Sequence, residues 1–235
     1  MISKDNGVLI DNFHSYKDFK LILTKKTISS PELQEEYVDV PGRDGPIDLS
    51  EVLTGTVKFK ERTISLSFFS LSPAQNWATE YSKLQNKLLG KRSMLIFDDD
   101  PDYYWNGRIR SVEQEQDGKH MQYSIEVKTD PYKMERYSSS EDWEWDTFDF
   151  EYGVINEGKD IKVDGDTKTY IYAGSKISYP TITSSAEMTL IFKGKSYNVP
   201  VGTTSMYEVI LDYGDNELTF KGRGTITIEY RGGSL

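Results

Sequence analysis

The stretch SPAQNWATEYSKLQNKLLG (72–90) is the one place in this chain where a helix is fully punctuated. Ser72 stands where an N-cap belongs, Pro73 takes the first helical position, and Gln75 completes a capping box. Trp77, Tyr81, Leu84 and Leu88 recur at helical spacing, so one face must dock on something apolar. Gly90 supplies a left-handed stop, with Lys91 and Arg92 beside the negative end of the dipole. Start, stripe and stop agree, and together they predict a helix over 73–89. Everything around it follows a period of two and breaks at Gly, Asp and Asn. One helix among many short alternating runs restricts the chain to a mainly β fold.

The alternating runs are easily marked. Segment 18–29 places Phe19, Leu21 and Leu23 on one side and reads as a strand. Segment 56–71 changes phase near Glu61 and Arg62, which predicts a bulge or turn between Val57–Phe59 and Ile64–Phe68. SMLIFDD (93–99) reads as a strand, DDPDYYWNG as a turn, and RIRSVEQEQ and HMQYSIEVKTD as a hairpin closed by Asp117-Gly118. Pro131 ends that module, and the small-polar run YSSSED (137–142) marks a boundary. The expected domains are therefore 1–136, a β domain carrying the helix, and 137–235. In the second, Asp164-Gly165-Asp166, Gly194 and the Gly214–Asn216 stretch read as turns between short strands. Ile226, Ile228 and Tyr230 share one face of the last strand. This rhythm predicts an antiparallel sandwich.

Composition excludes several chemistries. With no cysteine there is no disulfide frame, thiolate metal site or cysteine nucleophile. MISKDNGVLI is too polar for a signal peptide and no transmembrane run follows, so synthesis in a cytoplasm and no membrane insertion are expected. A net charge of −10 argues against specific nucleic-acid binding. It is unevenly spread: residues 1–140 hold 19 cations and 22 acids, residues 141–235 hold 9 and 16. That asymmetry supports two modules with different surfaces.

Candidate sites were weighed by spacing. VPGRDGPIDLSEVLTG (40–55) shares residue types with phosphate and calcium loops, but it lacks the Gly-Lys-Ser/Thr ending of the one. It also puts Val40 and Gly42 where the other needs carboxylates. It reads instead as two tight turns, with Arg43 set to pair with a carboxylate and Asp48 to cap a short turn. Asp98, Asp99, Asp100 and Asp102 sit around Pro101 at what reads as a solvated hairpin tip, and no metal or cofactor is expected. His14 and His120 lie apart with no ligand spacing. No nucleophile elbow exists and nothing singles out a carboxylate pair, so no enzyme is expected. Trp143 and Trp145 alternate with acids in SEDWEWDTFDFEYG. That pattern is read first as the inward face of a strand, since alternation alone explains it. A sugar-stacking surface would make the alternative function a carbohydrate-binding module for cell-wall polysaccharide.

In chain order, YVDVPGRDGPIDLSEVLTG (37–55), the strand with Arg62, the helix 73–89, MLIFDDDPDYYWNGRI (94–109) and GTITIEYRGGSL (224–235) resemble the distal tail proteins (Dit) of siphophages infecting Gram-positive bacteria. The resemblance spans essentially the whole chain. It implies a β-rich N-terminal domain that assembles as a homo-hexamer into a ring, followed by a C-terminal galectin-like antiparallel β-sandwich. It further implies a hub at the distal end of a phage tail, within the virion baseplate. There the ring joins the tail tube protein to a tail-tip or tail-associated lysin protein, and DNA passes through the hole. Receptor-binding proteins would dock on the second domain. Arg43, Asp44 and Arg62 are then the residues expected at a subunit contact.

Overall fold

The computed structural model describes residues 6–52, 55–139 and 158–235. Two compact units divide the chain, Met1–Pro131 and Tyr132–Leu235. Both are built of antiparallel strands, so the fold is mainly β.

In the first unit the strands are β1 (Val8–Ile10), β2 (Phe13–His14), β3 (Leu21–Ile28), β4 (Tyr37–Val38), β5 (Ile47–Asp48), β6 (Arg62–Ser70), β7 (Arg92–Phe97), β8 (Asp100–Asp117) and β9 (His120–Thr129). One sheet runs β2-β1-β7-β8-β9-β6-β3, and β4 pairs only with β5. The alternation places Ile64, Leu66, Phe68, Met121, Tyr123, Ile125 and Val127 on one buried face. Between Ile109 and Val112 a bulge at Arg110 restores the phase, so both side chains reach that face despite their odd spacing.

Helix α2 (Trp77–Leu88) covers this face with Trp77, Leu84 and Leu88. The helix starts later than its punctuation suggests. Ala74–Asn76 form a 3-10 turn after an extended Pro73, and Asn76 caps without a side-chain bond. Ser72 does not cap, because Pro73 is extended at ψ 148° and sets Ser72 back from the first turn; its carbonyl accepts the Trp77 indole N–H at 2.9 Å. Tyr81 donates its hydroxyl to the Val112 carbonyl at 3.2 Å, and the Tyr123 hydroxyl donates to the Trp77 carbonyl at 3.3 Å. Gly90 does take the left-handed conformation, at φ 76°.

The strand expected from residue 18 begins at Leu21, because Ser15–Phe19 forms a single helical turn, α1. His14 explains that turn. Its Nδ1 accepts from the N–H groups of Tyr16 and Lys17, while Asp18 accepts from the His14 N–H at 2.7 Å. With Nδ1 accepting, the proton sits on Nε2, which donates to Asp98 at 3.0 Å. Asp98 also accepts the Gly7 N–H at 2.8 Å, and Asp99 pairs with Lys26. Asp98 and Asp99 are the exposed two-residue turn of the β7–β8 hairpin, where Phe97 faces Asp100. The acidic run does sit at a solvated hairpin tip, and these bonds tie it down. From Asp100 onward it belongs to β8, since the tight turn ends at Asp99.

The second unit contains β10 (Lys133–Glu135), β11 (Ile161–Ala173), β12 (Thr181–Ser184), β13 (Met188–Phe192), β14 (Lys195–Val199), β15 (Gly202–Ser205), β16 (Gly214–Glu229) and β17 (Gly233–Ser234). β10 pairs with β17 near the chain's end and so groups with the second unit. β16 is central: β11 pairs along it from Ile161↔Ile226 to Ala173↔Gly214, with β12 and β13 on its other side. Asp164-Gly165-Asp166 is therefore not a turn. Gly165 faces Gly222 across the ladder, flanked by the ion pairs Asp164–Arg223 and Asp166–Lys221, and the ribbon continues through. Gly222 and Gly224 leave room for Met188, whose side-chain carbons would lie 2.8 Å from a Cβ at either position. Lys193-Gly194 does close the β13–β14 hairpin, with both residues at positive φ. Ile226, Ile228 and Tyr230 are buried together as their alternation requires.

Candidate assembly surface

Residues 29–61 leave the sheet between β3 and β6 and return to it as an arm. None of its described residues is buried, so it contributes nothing to the core of its own unit. It is nonetheless ordered by a sparse ladder: Ser29 N–H to Thr63 O, Lys60 N–H to Glu32 O, Gln34 N–H to Lys58 O at 2.8 Å, and the Leu33↔Phe59 bridge. The strand expected over 56–71 therefore begins only at Arg62, and residues 56–61 form the returning limb of the arm.

At the arm's far end, Tyr37↔Asp48 and Val38↔Ile47 close a two-stranded ribbon around the proline-glycine motif. Gly42 and Gly45 take φ of 86° and 77°, conformations that only glycine adopts without strain, which accounts for the two tight turns. Asp48 Oδ1 accepts both the Ser50 hydroxyl and the Ser50 N–H, and these bonds hold its carboxyl below the usual range. Glu35, then Asp48, push the Tyr37 phenol up.

The arm's chemistry is amphipathic. Between Glu32 and Glu51 there are seven carboxylates and one cation, Arg43. Among them Leu33, Tyr37, Val38 and Val40 are exposed, as is Val52 just past Glu51, at 67%. Monomers seldom expose so many apolar side chains on a segment free of the core, and such surfaces mark interaction sites. Arg43 and Asp44 sit at the tip, both exposed, and Arg43 makes no ion pair among the described residues.

Arg62 stands at the other end. Its Nε donates to the Ser29 carbonyl at 2.7 Å, one Nη donates to the Pro131 carbonyl at 3.1 Å, and the guanidinium lies 4.9 Å over the Trp105 ring. Burial lowers its pKa. The planar fork thus clamps the arm's root, and the structure does not bring Arg62 together with Arg43 and Asp44. We expect Arg62→Lys to keep the charge but lose the fork and the stacking. Amide exchange at Ser29 and Thr63 should then speed up about 5- to 10-fold while global stability falls by only ~1 kcal/mol.

Trp143 and Trp145 lie outside the described residues. Ser139 and Gly158, which flank that stretch, both bond to the end of β16: the Ser139 hydroxyl donates to the Ile228 carbonyl, and the Ile228 N–H donates to the Gly158 carbonyl. No group of three or more potential metal-binding side chains occurs among the described residues, and none of their helices is long and apolar enough to cross a membrane. The arm escaped sequence reading because Val57 and Phe59 alternate as in a strand, so its returning limb reads as part of the strand over 56–71. The signal present was the coincidence of acids with aliphatics in a Pro/Gly-rich stretch.

No protein-family model matches the chain, and no curated protein matches it in sequence. In structure it is similar to the crystallised Dit protein of SPP1, described as a paradigm of the hub adsorption apparatus in phages infecting Gram-positive bacteria. The TM-score is 0.65 at 15% identity, over 98% of this chain and 99% of that one. At that identity the likeness is one of fold.

Proposed function

We propose that the chain is a distal tail protein, a structural subunit of a phage tail hub. The observation that carries this reading is the fold likeness to a hub protein from end to end of both chains, with neither left over. In this reading the first unit assembles as six copies in a closed ring. Cyclic closure requires two different patches on each subunit. The arm supplies one of them, with Arg43 and Asp44 at its tip, and the neighbour's matching surface is the other. The ring joins the tail tube to the tail-tip protein and lets DNA pass, and the subunit does no catalysis. The second unit, with its boundary near residues 131–137, faces other tail components.

The test is direct. Purified protein, concentrated and viewed by negative-stain microscopy, should show six-fold rings or ring stacks, and antibody labelling of particles should mark the distal end of the tail. A protein that stays monomeric at high concentration and binds neither tube nor tail-tip protein overturns the proposal.

A further inference from the structure

The second unit carries an unusual exposed surface of its own. Its core is mainly aliphatic, yet Tyr207, Tyr213, Tyr170 and Tyr179 stand 73, 72, 64 and 44% exposed. They are not scattered. The segments 178–180 and 206–211 are held together by the Ser178↔Leu211 bridge and by the Met206 N–H bond to the Pro180 carbonyl. Met206, Val209 and Leu211 are buried beneath, while Ile210 stays exposed above. On this frame the rings of Tyr179 and Tyr207 meet edge to face at 6.0 Å. Tyr213 meets Tyr172 in the same way at 6.1 Å. Tyr172 and Tyr170 follow on the outer face of β11, opposite Asp215 and Glu217 on β16.

Charge on this surface is one-sided. Glu208, Asp212, Asp215 and Glu217 interleave with the tyrosines. Lys193 pairs with Asp212 and Lys168 with Glu217, but Glu208 and Asp215 make no ion pair among the described residues. Aromatic faces beside uncompensated carboxylates attract cations twice, through the ring quadrupole and through the carboxylate charge. Tyrosine also brings large contact area at low entropic cost, which is why it recurs at protein interfaces.

We propose that the surface formed by Tyr170, Tyr179, Tyr207 and Tyr213 with Glu208 and Asp215 docks a protein segment bearing arginine or lysine side chains. This is independent of the hub reading, since it rests on the second unit alone. An exposed ring takes a guanidinium better than an ammonium, so arginine is the preferred cation.

The full chain, labelled with fluorotyrosine and assigned by single Tyr→Phe changes, provides the readout by fluorine NMR. The probes are an arginine-glycine-serine repeat peptide of roughly twelve residues and its citrulline counterpart, which keeps shape but not charge. The arginine peptide should shift Tyr207 and Tyr213, and the citrulline peptide should bind at least ~10-fold more weakly. Y207S/Y213S should lose at least ~5-fold with the unfolding midpoint unchanged. Should that variant fail to fold, D215N and E208Q, both at exposed positions, should each weaken binding ~2- to 3-fold. Equal binding of the citrulline peptide overturns the proposal. So does peptide binding that leaves these tyrosines unmoved. Shifts caused by cell-wall oligosaccharides but not by the peptide would make the occupant a glycan. Concentration-dependent shifts without peptide, lost in Y207S/Y213S, would make it a second copy of the chain. Either outcome overturns the proposal.

Discussion

Replacing residues 35–57 by Asn-Gly is expected to leave the first unit folded and to abolish ring formation. The cut is chosen from the ladder itself. Gln34 and Lys58 already face each other, the Gln34 N–H donating to the Lys58 carbonyl at 2.8 Å. An Asn-Gly turn brings the Lys58 N–H onto the Gln34 carbonyl to close a two-residue hairpin. The root of the arm survives intact, including Leu33↔Phe59 and the Arg62 clamp on Ser29. No described residue of the excised segment is buried, so the core loses nothing. Loop closure changes by only ~0.6 kcal/mol per doubling of length, and shortening acts in the favourable direction. The unfolding midpoint should therefore shift by the equivalent of ~1 kcal/mol or less.

Assembly should respond quite differently. Tyr37, Val38, Val40 and Val52 can be buried only against another molecule, and removing an anchor of this kind costs an interface ~2 kcal/mol or more. Several such losses per contact should raise the concentration needed for rings by at least ~100-fold. The measurement is light scattering behind size exclusion, with negative-stain images of the same fractions. Rings of undiminished stability in the shortened protein would remove the arm from the interface. A shift in midpoint without change in assembly would make it a stabilising element instead.

Part of this architecture was legible in the residues. The helix was readable because three independent signals coincide at 72–90. Of the four residues the spacing names, Trp77, Leu84 and Leu88 are buried while Tyr81 is half-buried against the same core. The helix's first turn was not, because Pro73 stays extended and sets Ser72 back from the helix, where its carbonyl accepts the Trp77 indole N–H instead. The hairpin at Gly194 was readable, whereas Gly165 was mistaken for a turn because a glycine's positive φ serves equally in a turn and in a coiled ribbon. His14 had no visible role because its partner, Asp98, lies 84 residues away. For the candidate surface, the motif at 40–55 was recognised as a rigid double turn. That it tips an arm without buried residues depends on what fails to pack against it, and the sequence signals this only by mixing acids with aliphatics in a Pro/Gly-rich stretch.

Gly107→Ala is expected to destabilise the first unit by ~3 kcal/mol or more, although it adds a single methyl group. Gly107 lies in mid-β8, where it faces Ser93 on β7 and Thr129 on β9. Its φ is not the issue. A Cβ there would stand 2.7 Å from the Lys128 carbonyl oxygen, 2.8 Å from the Thr129 Cα and 2.6 Å from the Thr129 methyl. Two of those atoms are backbone, so relief requires β8 and β9 to part, and Thr129 is fully buried with no room to yield. Separation at that point loosens Ile109 against Val127, both at 0% exposure and both under the helix-covered face. Ser93→Ala, one strand over, is the control of opposite sign. Its hydroxyl is 2% exposed and has no hydrogen-bond partner among the described residues, so removing it should stabilise the unit by ~1 kcal/mol. Denaturant unfolding of the two variants beside the parent reads both effects on one axis. If Gly107→Ala costs under ~1 kcal/mol, the close approach of β8 to β9 is not rigid, and glycine in YWNGR answers to some need other than packing.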